Sequence, residues 1–267
     1  MSRPKLLDLF CGQFGAGMGY HRAGFTVYGV DNEPARSKFA PFALHIGDAI
    51  EVMAALIAGE AVDFTYPGGV TVERLTLSDF AAIHGSPPCT GFSRGTAAIP
   101  DRLTRYDRLI AVTREAMILA GLPYVIENVE DAGPELLNPM RLCGFEFGLS
   151  AVDDDGTVLK MKRHRLFESN VFLVGAGGCP GHPRIPRRTH RGGPQIAGAY
   201  GGARRDKVEA RQVRHGGYVP KSLDVLRTML GTPWMDETGC FLSIPPVYAE
   251  HIGAQLLAHI EAERNAA

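Results

Sequence analysis

A cysteine and a glutamate, each just past a predicted buried strand, are the residues of this chain best suited to covalent chemistry. Cys89 follows the apolar run Phe80–His84, and the two prolines of Gly85–Pro88 stiffen the exit from that strand. Glu127 follows the second apolar run, Tyr124–Ile126. Because neighbouring parallel strands end at the same edge of a sheet, we expect both side chains there. The alternative for Cys89 is a small buried hydrophobic residue, the commoner role of a free cysteine.

A thiol and a carboxylic acid at one edge can carry out addition to a pyrimidine ring. A thiolate adds to C6 of cytosine only if N3 takes a proton, and a carboxyl group with a raised pKa holds that proton at neutral pH. Addition at C6 turns C5 into an enamine carbon that attacks a sulfonium methyl, and loss of the C5 proton then expels the cysteine. This chemistry requires Cys89, Glu127 and a methyl donor together. The alternative for Glu127 is a helix cap or a surface carboxylate.

A glycine-rich loop follows the first predicted strand, Lys5–Phe10. Its spacing, Gly12-x-x-Gly15-x-Gly17, differs from the dinucleotide motif, and the absence of a following Gly-Lys-Ser/Thr excludes a P-loop. Such a loop can still present backbone N–H groups and a helix N-terminus to an anion, and for S-adenosylmethionine that anion would be the amino-acid carboxylate. Asp31, after the second strand, is placed to hold ribose hydroxyls, and Asp48 to accept from the adenine amino group. A plain tight turn is the alternative interpretation.

Two arginines precede another apolar strand. Arg163 and Arg165 lie at i and i+2, so on a strand they share one face. There they suit a base carbonyl or phosphate together with the thiolate. The alternative is an edge strand protected from aggregation by its basic side chains.

The basic residues are concentrated in one segment. The chain has a formal net charge of −1, yet the segment from Lys160 to Leu230 holds fifteen Lys and Arg against four Asp and Glu. Glycines, prolines and histidines surround these charges, which favours a polyanion-binding segment over a solvated helical face. Recognition of DNA needs phosphate neutralisation and side chains in the major groove. The candidates are Arg184, Arg187, Arg188, Arg191, Arg204, Arg205, Arg211 and Arg214.

The order strand, glycine loop, helix, strand and acid predicts an α/β fold with a doubly wound, Rossmann-like sheet. We predict further strands at Phe25–Val30, Phe42–Ile46 and Leu166–Val174. We predict helices from Gly47 to Ala58, along Tyr106–Ala120, and from Pro246 onward, the last with Tyr248, Ile252, Leu256 and Ile260 on one face. Ala61–Ser78 and Gly175–Gly217 read as irregular. The predicted domains are a catalytic and cofactor-binding domain (1–170), a small basic recognition lobe (171–235) and a closing helical segment (236–267).

Composition excludes several classes of protein. The chain has 267 residues and 45% hydrophobic residues, enough for one sizeable core with a small appended lobe. No apolar stretch approaches membrane-spanning length, and no secretion signal is recognised. The five scattered cysteines then favour reduced thiols in a cytoplasm, that of a bacterium or a phage-infected cell. Cys179-x-x-His182, with His190 and His215, hints at zinc, but the spacing is irregular and we predict no metal site.

In order and spacing, the motifs resemble those of the DNA cytosine-5 methyltransferase family over nearly the whole chain. Five segments carry the resemblance: Asp8–Gly12 resembles the cofactor motif, Pro87-Pro88-Cys89 the catalytic loop, Glu127-Asn128-Val129 the Glu-Asn-Val motif, Arg163-x-Arg165 the arginine pair, and Ser243–Pro246 the start of the C-terminal motif.

This resemblance implies roles for particular residues. Cys89 would be the nucleophile, Glu127 the N3 proton donor, and Arg165 with Arg163 the support for base and thiolate. The residues implied in binding S-adenosylmethionine are Phe10, Gly12, Gly15, Asp31, Asn32, Asp48 and Pro87. The implied partner is duplex DNA, from which the cytosine is flipped. Small members of this kind resemble phage or orphan enzymes of restriction–modification type, and we take a monomer as the default.

Three departures from the family pattern bear on activity. Thr90 replaces the usual glutamine after the catalytic cysteine, Phe14 stands where glycine is common, and Phe241-Leu242 replaces a Gly-Asn pair. A tRNA-methylating branch shares the motifs and is the nearest alternative. The other is a catalytically inactive DNA-binding relative. A thiol-redox enzyme or cysteine hydrolase lacks support, because no Cys-x-x-Cys occurs and no histidine has a motif-level link to Cys89.

Overall fold

The computed structural model describes residues 2–88, 109–182, 195–197 and 218–266. Within these ranges the strands are β1 (Lys5–Leu9), β2 (Thr26–Asp31), β3 (Ala43–Ile46), β4 (Val62–Thr65), β5 (Val72–Leu75), β6 (Phe80–Gly85), β7 (Tyr124–Asn128), β8 (Met140–Leu142), β9 (Ser150–Val152), β10 (Val158–Met161), β11 (Arg165–Ser169) and β12 (Gln195–Ala197). The α-helices are α1 (Gly15–Ala23), α2 (Ala49–Ile57), α3 (Leu109–Ala120), α4 (Leu223–Leu230), α5 (Glu237–Leu242) and α6 (Pro246–Ala266).

A nine-stranded sheet in the order β5-β4-β3-β2-β1-β6-β7-β11-β8 forms the centre of the fold. The five strands β3, β2, β1, β6 and β7 are parallel, and antiparallel pairs complete both edges. Parallel strands are covered on both faces and therefore read as nearly continuous apolar runs. In β1, Leu6, Leu7 and Leu9 are all fully buried. The carboxyl ends of the five parallel strands consequently meet at one edge.

Helices cover both faces of this sheet. Side chains of α2 and α3, among them Met53 and Met117, share one hydrophobic core with the strands. Side chains of α1 and α6, among them Tyr20 and Ile252, share a second core on the other face. The arrangement confirms the predicted doubly wound, Rossmann-like α/β fold.

Glycine allows α1 and α6 to approach each other closely. A Cβ atom at Gly19 would lie 2.1 Å from the carbonyl oxygen of Pro246, and one at Gly15 would lie 2.4 Å from that of Ile244. Both distances are far below van der Waals contact, so only glycine fits at these positions. Helix α6 begins at Pro246, as predicted, with Tyr248, Ile252 and Leu256 buried.

The stretch Ala61–Ser78 corrects the sequence analysis, which predicted an irregular insertion. It holds the antiparallel hairpin β4–β5, in which Val62 pairs with Leu75 and Thr65 with Val72. The turn contains Gly68 and Gly69 at φ values of 94° and 75°, and the Tyr66 amide donates to the Thr71 carbonyl at 2.8 Å. Each strand has only four residues, so its alternation is too short to stand out in the sequence.

A second, three-stranded sheet has the order β12-β10-β9. Leu159 and Met161 of β10 pack with Leu226 and Met229 of α4 and with Phe241 of α5 in a third core. Here β12 lies inside the region 175–217 that was predicted to be irregular.

The domain boundaries predicted at residues 170 and 235 stay predictions. Among the described helices, none combines the length and apolar character needed to cross a membrane.

Candidate active site

A cleft of about 370 Å³ opens at the carboxyl edge of the parallel strands. This is the edge where open α/β sheets bind ligands. The seven residues predicted to bind the cofactor all line it: Phe10, Gly12, Gly15, Asp31, Asn32, Asp48 and Pro87. Glu127 and Arg165 line it too. The sheet therefore brings together residues that are more than 150 positions apart in the sequence.

The glycine loop after β1 owes its shape to left-handed backbone and to the carboxylate of Asp31. Phe10, Gly12 and Phe14 have φ values of 56°, 55° and 61°. Asp31 Oδ2 accepts from the Gly12 amide at 2.9 Å, and its Oδ1 accepts from the Glu33 amide at 3.0 Å. A carboxylate at the end of β2 thus fixes the loop and also lines the cleft.

Phe14, one of the departures from the family pattern, does not project into the cleft. Its side chain is fully buried and packs edge-on against Phe42, with ring centroids 5.5 Å apart. A Cβ atom at Gly29 would lie 2.3 Å from the Phe14 ring. The Phe14 side chain therefore packs in the core, and it fits there because Gly29 has no side chain.

Gln13 connects the loop to the segment that precedes α5. Its Nε2 donates to Asp236 Oδ1 at 2.9 Å, its Oε1 accepts from the Asp236 amide at 3.1 Å, and its carbonyl accepts from Trp234 Nε1 at 2.8 Å. Met235, Gly239 and the segment 242–244 complete the same side of the cleft. Sequence reasoning missed this connection, because nothing local to Gln13 indicates a partner 223 positions away.

The cleft is acidic at its base. Asp8 is only 1% exposed, and apart from a backbone contact with Gly17 its carboxyl oxygens have no hydrogen-bond partner among the described residues. Burial, and then the negative charge of Asp31, raise the pKa of Asp8 well above its usual range. A buried carboxyl group without a partner is costly unless a ligand satisfies it. In the sequence, Asp8 stands among the leucines of β1, and a charged residue in a buried apolar run indicates a functional role.

Asp48 and Asn32 lie at the outer part of the cleft, where both are exposed. Asp48 also caps helix α2: its Oδ1 accepts from the amides of Ile50 at 2.8 Å and Glu51 at 3.1 Å. The cap fixes the direction of the carboxylate. Its second oxygen is the one available for a ligand amino group.

Glu127 is the buried acid of the cleft. It lies within β7, opposite Phe167, rather than just past the strand as predicted. Its Oε1 is 2.9 Å from Nε of Arg165, and the residue is 6% exposed. Burial raises the pKa of Glu127, and the charges of Arg165 and Arg163 with a hydrogen bond from Ser86 offset part of that rise. The net upward shift keeps a proton on the carboxyl group to a higher pH than in water.

A buried chain of hydrogen bonds leads away from Glu127. Ser86 donates to the Glu127 carboxylate, His84 Nε2 lies 2.8 Å from Ser86 Oγ, and His84 Nδ1 lies 3.0 Å from the Tyr20 hydroxyl. Burial lowers the pKa of His84 to about 3, so the imidazole is neutral and donates from one nitrogen only. Nε2–H therefore donates to Ser86, and Nδ1 accepts from Tyr20.

The cysteine loop is anchored where it leaves β6. Asn128 Nδ2 donates to the Pro87 carbonyl at 2.9 Å, and Asn128 Oδ1 accepts from the Val129 amide at 3.0 Å. The Glu-Asn-Val segment thus holds the Pro-Pro segment directly. Cys89 follows Pro88 but lies outside the described residues, as does Thr90.

Arg163 lies before β11 rather than on it, so the prediction that the two arginines share one face of a strand is wrong. Arg165 lines the cleft, whereas Arg163 is 1% exposed and absent from its lining. Its guanidinium donates to the carbonyls of Phe241 (2.8 Å) and Ser243 (2.8 Å from Nε). Arg163 precedes β11 and has a φ of 27°, so the strand alternation assumed for the pair does not apply. It fastens the 241–243 segment, and its own carbonyl accepts from Tyr248 Oη at 2.8 Å.

The arginines predicted to bind DNA lie outside the described residues, so their role stays a prediction. They are Arg184, Arg187, Arg188, Arg191, Arg204, Arg205, Arg211 and Arg214. Of the histidines and cysteine considered for zinc, Cys179 and His182 are described, whereas His190 and His215 are not.

Comparison with known proteins identifies the fold. No family model and no curated protein sequence matches the chain. The structure of the Entamoeba histolytica methyltransferase EhMeth matches with a TM-score of 0.53 at 10% identity, over 97% of this chain and 99% of that one. A structure described as a DNA modification methyltransferase encoded within an E. coli prophage matches with a TM-score of 0.49 at 15% identity, and Spodoptera frugiperda DNMT2 with 0.46 at 13%, each over 97% of this chain and 99% of the other. The likeness to the Entamoeba protein supports the Rossmann-like α/β fold.

Proposed function

We propose that this protein is an S-adenosylmethionine-dependent methyltransferase that acts at C5 of cytosine in duplex DNA. The observation that carries the proposal is the meeting, in one cleft, of a buried acid, Glu127, with the complete set of predicted cofactor residues. Asn128 ties this acid's strand to Pro87, two residues before Cys89. An acid with a raised pKa beside a cysteine loop suits addition to a cytosine ring.

The donor set of the cleft fits S-adenosylmethionine. The cofactor carries a cationic sulfonium and an ammonium group, and the cleft offers the carboxylate of Asp31 and the buried carboxyl group of Asp8. The unsatisfied Asp8 carboxyl group suits an ammonium ligand. Asp31 would hold the ribose hydroxyls, Asp48 the adenine amino group, and Phe10 a face of the adenine ring. When bound there, S-adenosylmethionine supplies the electrophilic methyl group.

In the proposed mechanism the protein residues activate the base. The Cys89 thiolate forms a bond to C6 of the flipped cytosine while the Glu127 carboxyl group donates its proton to N3. Arg165 holds the Glu127 carboxyl in place and supports the base. Later transfer of the C5 proton to water restores the C5–C6 double bond and expels the Cys89 thiolate, and the N3 proton returns to the Glu127 carboxylate. Ser86, through its hydrogen bond to Glu127, is a positioning residue.

The basic segment from Lys160 to Leu230 supports a polyanionic substrate, because it contains fifteen Lys and Arg but only four Asp and Glu. We propose duplex DNA as that substrate. Phosphate contacts would supply affinity, and the arginines of the segment would include those that read base edges.

The test is nucleoside mass spectrometry after incubation with S-adenosylmethionine and, in parallel, duplex DNA or tRNA. The expected product is 5-methyldeoxycytidine from DNA, with sequencing of the product to locate the site. A product from tRNA alone would replace DNA with tRNA as the substrate. Covalent trapping on DNA containing 5-fluorocytosine tests the nucleophile, since this base retains the enzyme after methyl transfer. Loss of trapping in Cys89→Ser with intact DNA binding is expected, whereas trapping by the variant would refute the assignment.

A further inference from the structure

A second cluster of reactive side chains lies apart from the cleft. Cys143, His164, Cys179 and His182 each offer one ligand atom, and these atoms all lie within 4.8 Å of one another. Cys143 follows β8, His164 precedes β11, and Cys179 and His182 belong to the loop after residue 174. We refer to these four residues as the Cys/His cluster. None of them lines the cleft, and the proposed methyl transfer does not use them.

Three of the separations within the cluster are close to those of a tetrahedral metal site. His182 Nε2 lies 3.0 Å from Cys143 Sγ and 3.3 Å from Cys179 Sγ, and His164 Nε2 lies 3.5 Å from Cys179 Sγ. Zinc bonds of about 2.3 Å to sulfur and about 2.0 Å to nitrogen place neighbouring tetrahedral ligands about 3.3–3.8 Å apart. Because all four ligand atoms already lie within 4.8 Å of one another, shifts of up to about an ångström would bring them to these separations.

A carboxylate already orients one of the histidines. Glu130 Oε1 lies 2.6 Å from Nδ1 of His164, which makes Nδ1 the proton-bearing nitrogen and leaves Nε2 facing the cluster. Ligating histidines are commonly fixed in this way by a second-shell carboxylate. Arg141 Nη1 in turn lies 3.6 Å from the same Glu130 oxygen. The cluster thus includes the supporting hydrogen bond that a metal site needs.

The loop that carries two of the ligands has the backbone of a tight metal-binding turn. Gly177, Gly178 and Gly181 have φ values of 109°, 88° and 81°, in the left-handed region that glycine favours. These conformations turn the chain sharply on both sides of Cys179-Pro180. As a result, Cys179 and His182 aim at the same point although only two residues separate them.

Two thiols and two imidazoles, with no carboxylate among them, favour Zn²⁺ over hard cations such as Mg²⁺ or Ca²⁺. Four protein ligands leave no open position, which is the arrangement of structural rather than catalytic zinc. We propose that the Cys/His cluster binds one Zn²⁺ ion with a structural role. The ion would fasten the loop at residues 179–182, within the basic segment, to β8 and to the residue between Arg163 and Arg165.

This inference also changes the prediction of no metal site. The sequence contained Cys179-x-x-His182, but its other two ligands, Cys143 and His164, are 36 and 15 positions away from Cys179 and belong to elements of the catalytic region. A search for regular ligand spacing cannot find them. The proposed site does not depend on the proposed methyl transfer.

The first experiment measures zinc by elemental mass spectrometry on untagged full-length protein purified without chelators. We expect about one zinc ion per chain, lost in Cys179→Ser and in His182→Gln. Cys240→Ser is the matched control, because Cys240 is a free buried cysteine of the third core and is not one of the four ligands. Replacement of zinc by Co²⁺ in the unmodified protein should give the visible bands of tetrahedral cobalt with thiolate ligands.

A second measurement does not depend on folding of the ligand variants. Glu130→Gln keeps all four ligands but weakens the hydrogen bond to His164, so zinc affinity in a chelator competition should fall by about 10- to 100-fold. Glu130 and Glu135 are the first and last residues of a short 3₁₀ helix, Glu130–Glu135, so Glu135→Gln is the matched control. Absence of zinc from the wild-type protein, equal zinc in Cys179→Ser and wild type, or a Cys143–Cys179 disulfide seen as a mass lower by two hydrogens would each overturn the proposal.

Discussion

Glu127 and Arg165 form a buried ion pair at the cleft, with Oε1 of the acid 2.9 Å from Nε of the arginine. A nearby guanidinium normally lowers the pKa of a carboxyl group, but here burial is the larger influence and the pKa of Glu127 is raised. The arginine therefore fixes the position of the acid, while burial keeps the pKa of the acid above its ordinary value. An acid held in this way is suited to protonate a ring nitrogen.

Replacing this acid should separate chemistry from binding. Glu127→Gln keeps the shape of the side chain but cannot donate an acidic proton, so single-turnover methyl transfer should fall by about 10²- to 10⁴-fold. DNA affinity, measured by fluorescence anisotropy, should remain. Glu51→Gln, on the first turn of α2, is the control for loss of a carboxylate elsewhere. A rate within a few-fold of wild type would remove Glu127 from the mechanism.

Asp31 is expected to control cofactor affinity. Asp31→Ala removes the acceptor for the Gly12 amide and, in the proposed cofactor site, the acceptor for the ribose hydroxyls, so the affinity for S-adenosylhomocysteine should fall by about 10- to 100-fold. Isothermal titration calorimetry measures the change. Asp63→Ala, an exposed position on β4 where the carboxylate pairs with Arg74 at 3.7 Å, should bind as wild type does. An unchanged Kd for Asp31→Ala would contradict the proposed cofactor site.

The two arginines of the Arg-x-Arg motif should respond differently to substitution. Arg163→Met leaves the carbonyls of Phe241 and Ser243 without their donor, so the free energy of unfolding should fall by about 2–5 kcal/mol. At low temperature, the Arg163→Met protein that remains folded should still transfer the methyl group. Arg165→Met should show the opposite pattern, with lost transfer and a smaller loss of stability. Urea denaturation and single-turnover rates distinguish them, and equal stability for both variants would argue against the assignment.

His84 should make the protein sensitive to acid. Its pKa is about 3 in the folded protein and about 6.5 in the unfolded chain, so between these values the unfolded state binds a proton that the folded state does not. Stability is therefore lost as pH falls below about 6.5. From pH 7 to pH 5 we expect wild type to lose about 2 kcal/mol more than His84→Gln.

Urea denaturation at the two pH values measures this difference. The control is His259→Gln, on the outer side of α6, where the histidine lies 3.2 Å from Glu263. Parallel loss of stability in wild type and His84→Gln would show that another group causes the acid sensitivity.

Sequence reasoning succeeded where a local pattern determines the structure. The parallel strands were predictable because burial on both faces makes them apolar runs, and residues at their ends then had to meet at one edge. Sequence reasoning failed where the role of a side chain depends on a hydrogen-bond partner far away in the sequence. Arg163 donates hydrogen bonds to carbonyls about eighty positions later in the chain. His84 accepts a hydrogen bond from Tyr20, which lies on helix α1. The hairpin at 62–75 was missed because its four-residue strands carry too little periodic signal.

The pairing of α1 with α6 has a consequence for synthesis of the protein. The glycines of α1 leave space that only residues 244–250 fill, and the cleft needs residues 235–244 against residues 10–16. A ribosome must therefore translate the chain to about residue 250 before the glycine-rich face of α1 can be covered. Until then the nascent chain displays an apolar surface, which would make it a substrate for chaperones that shield unfinished α/β domains.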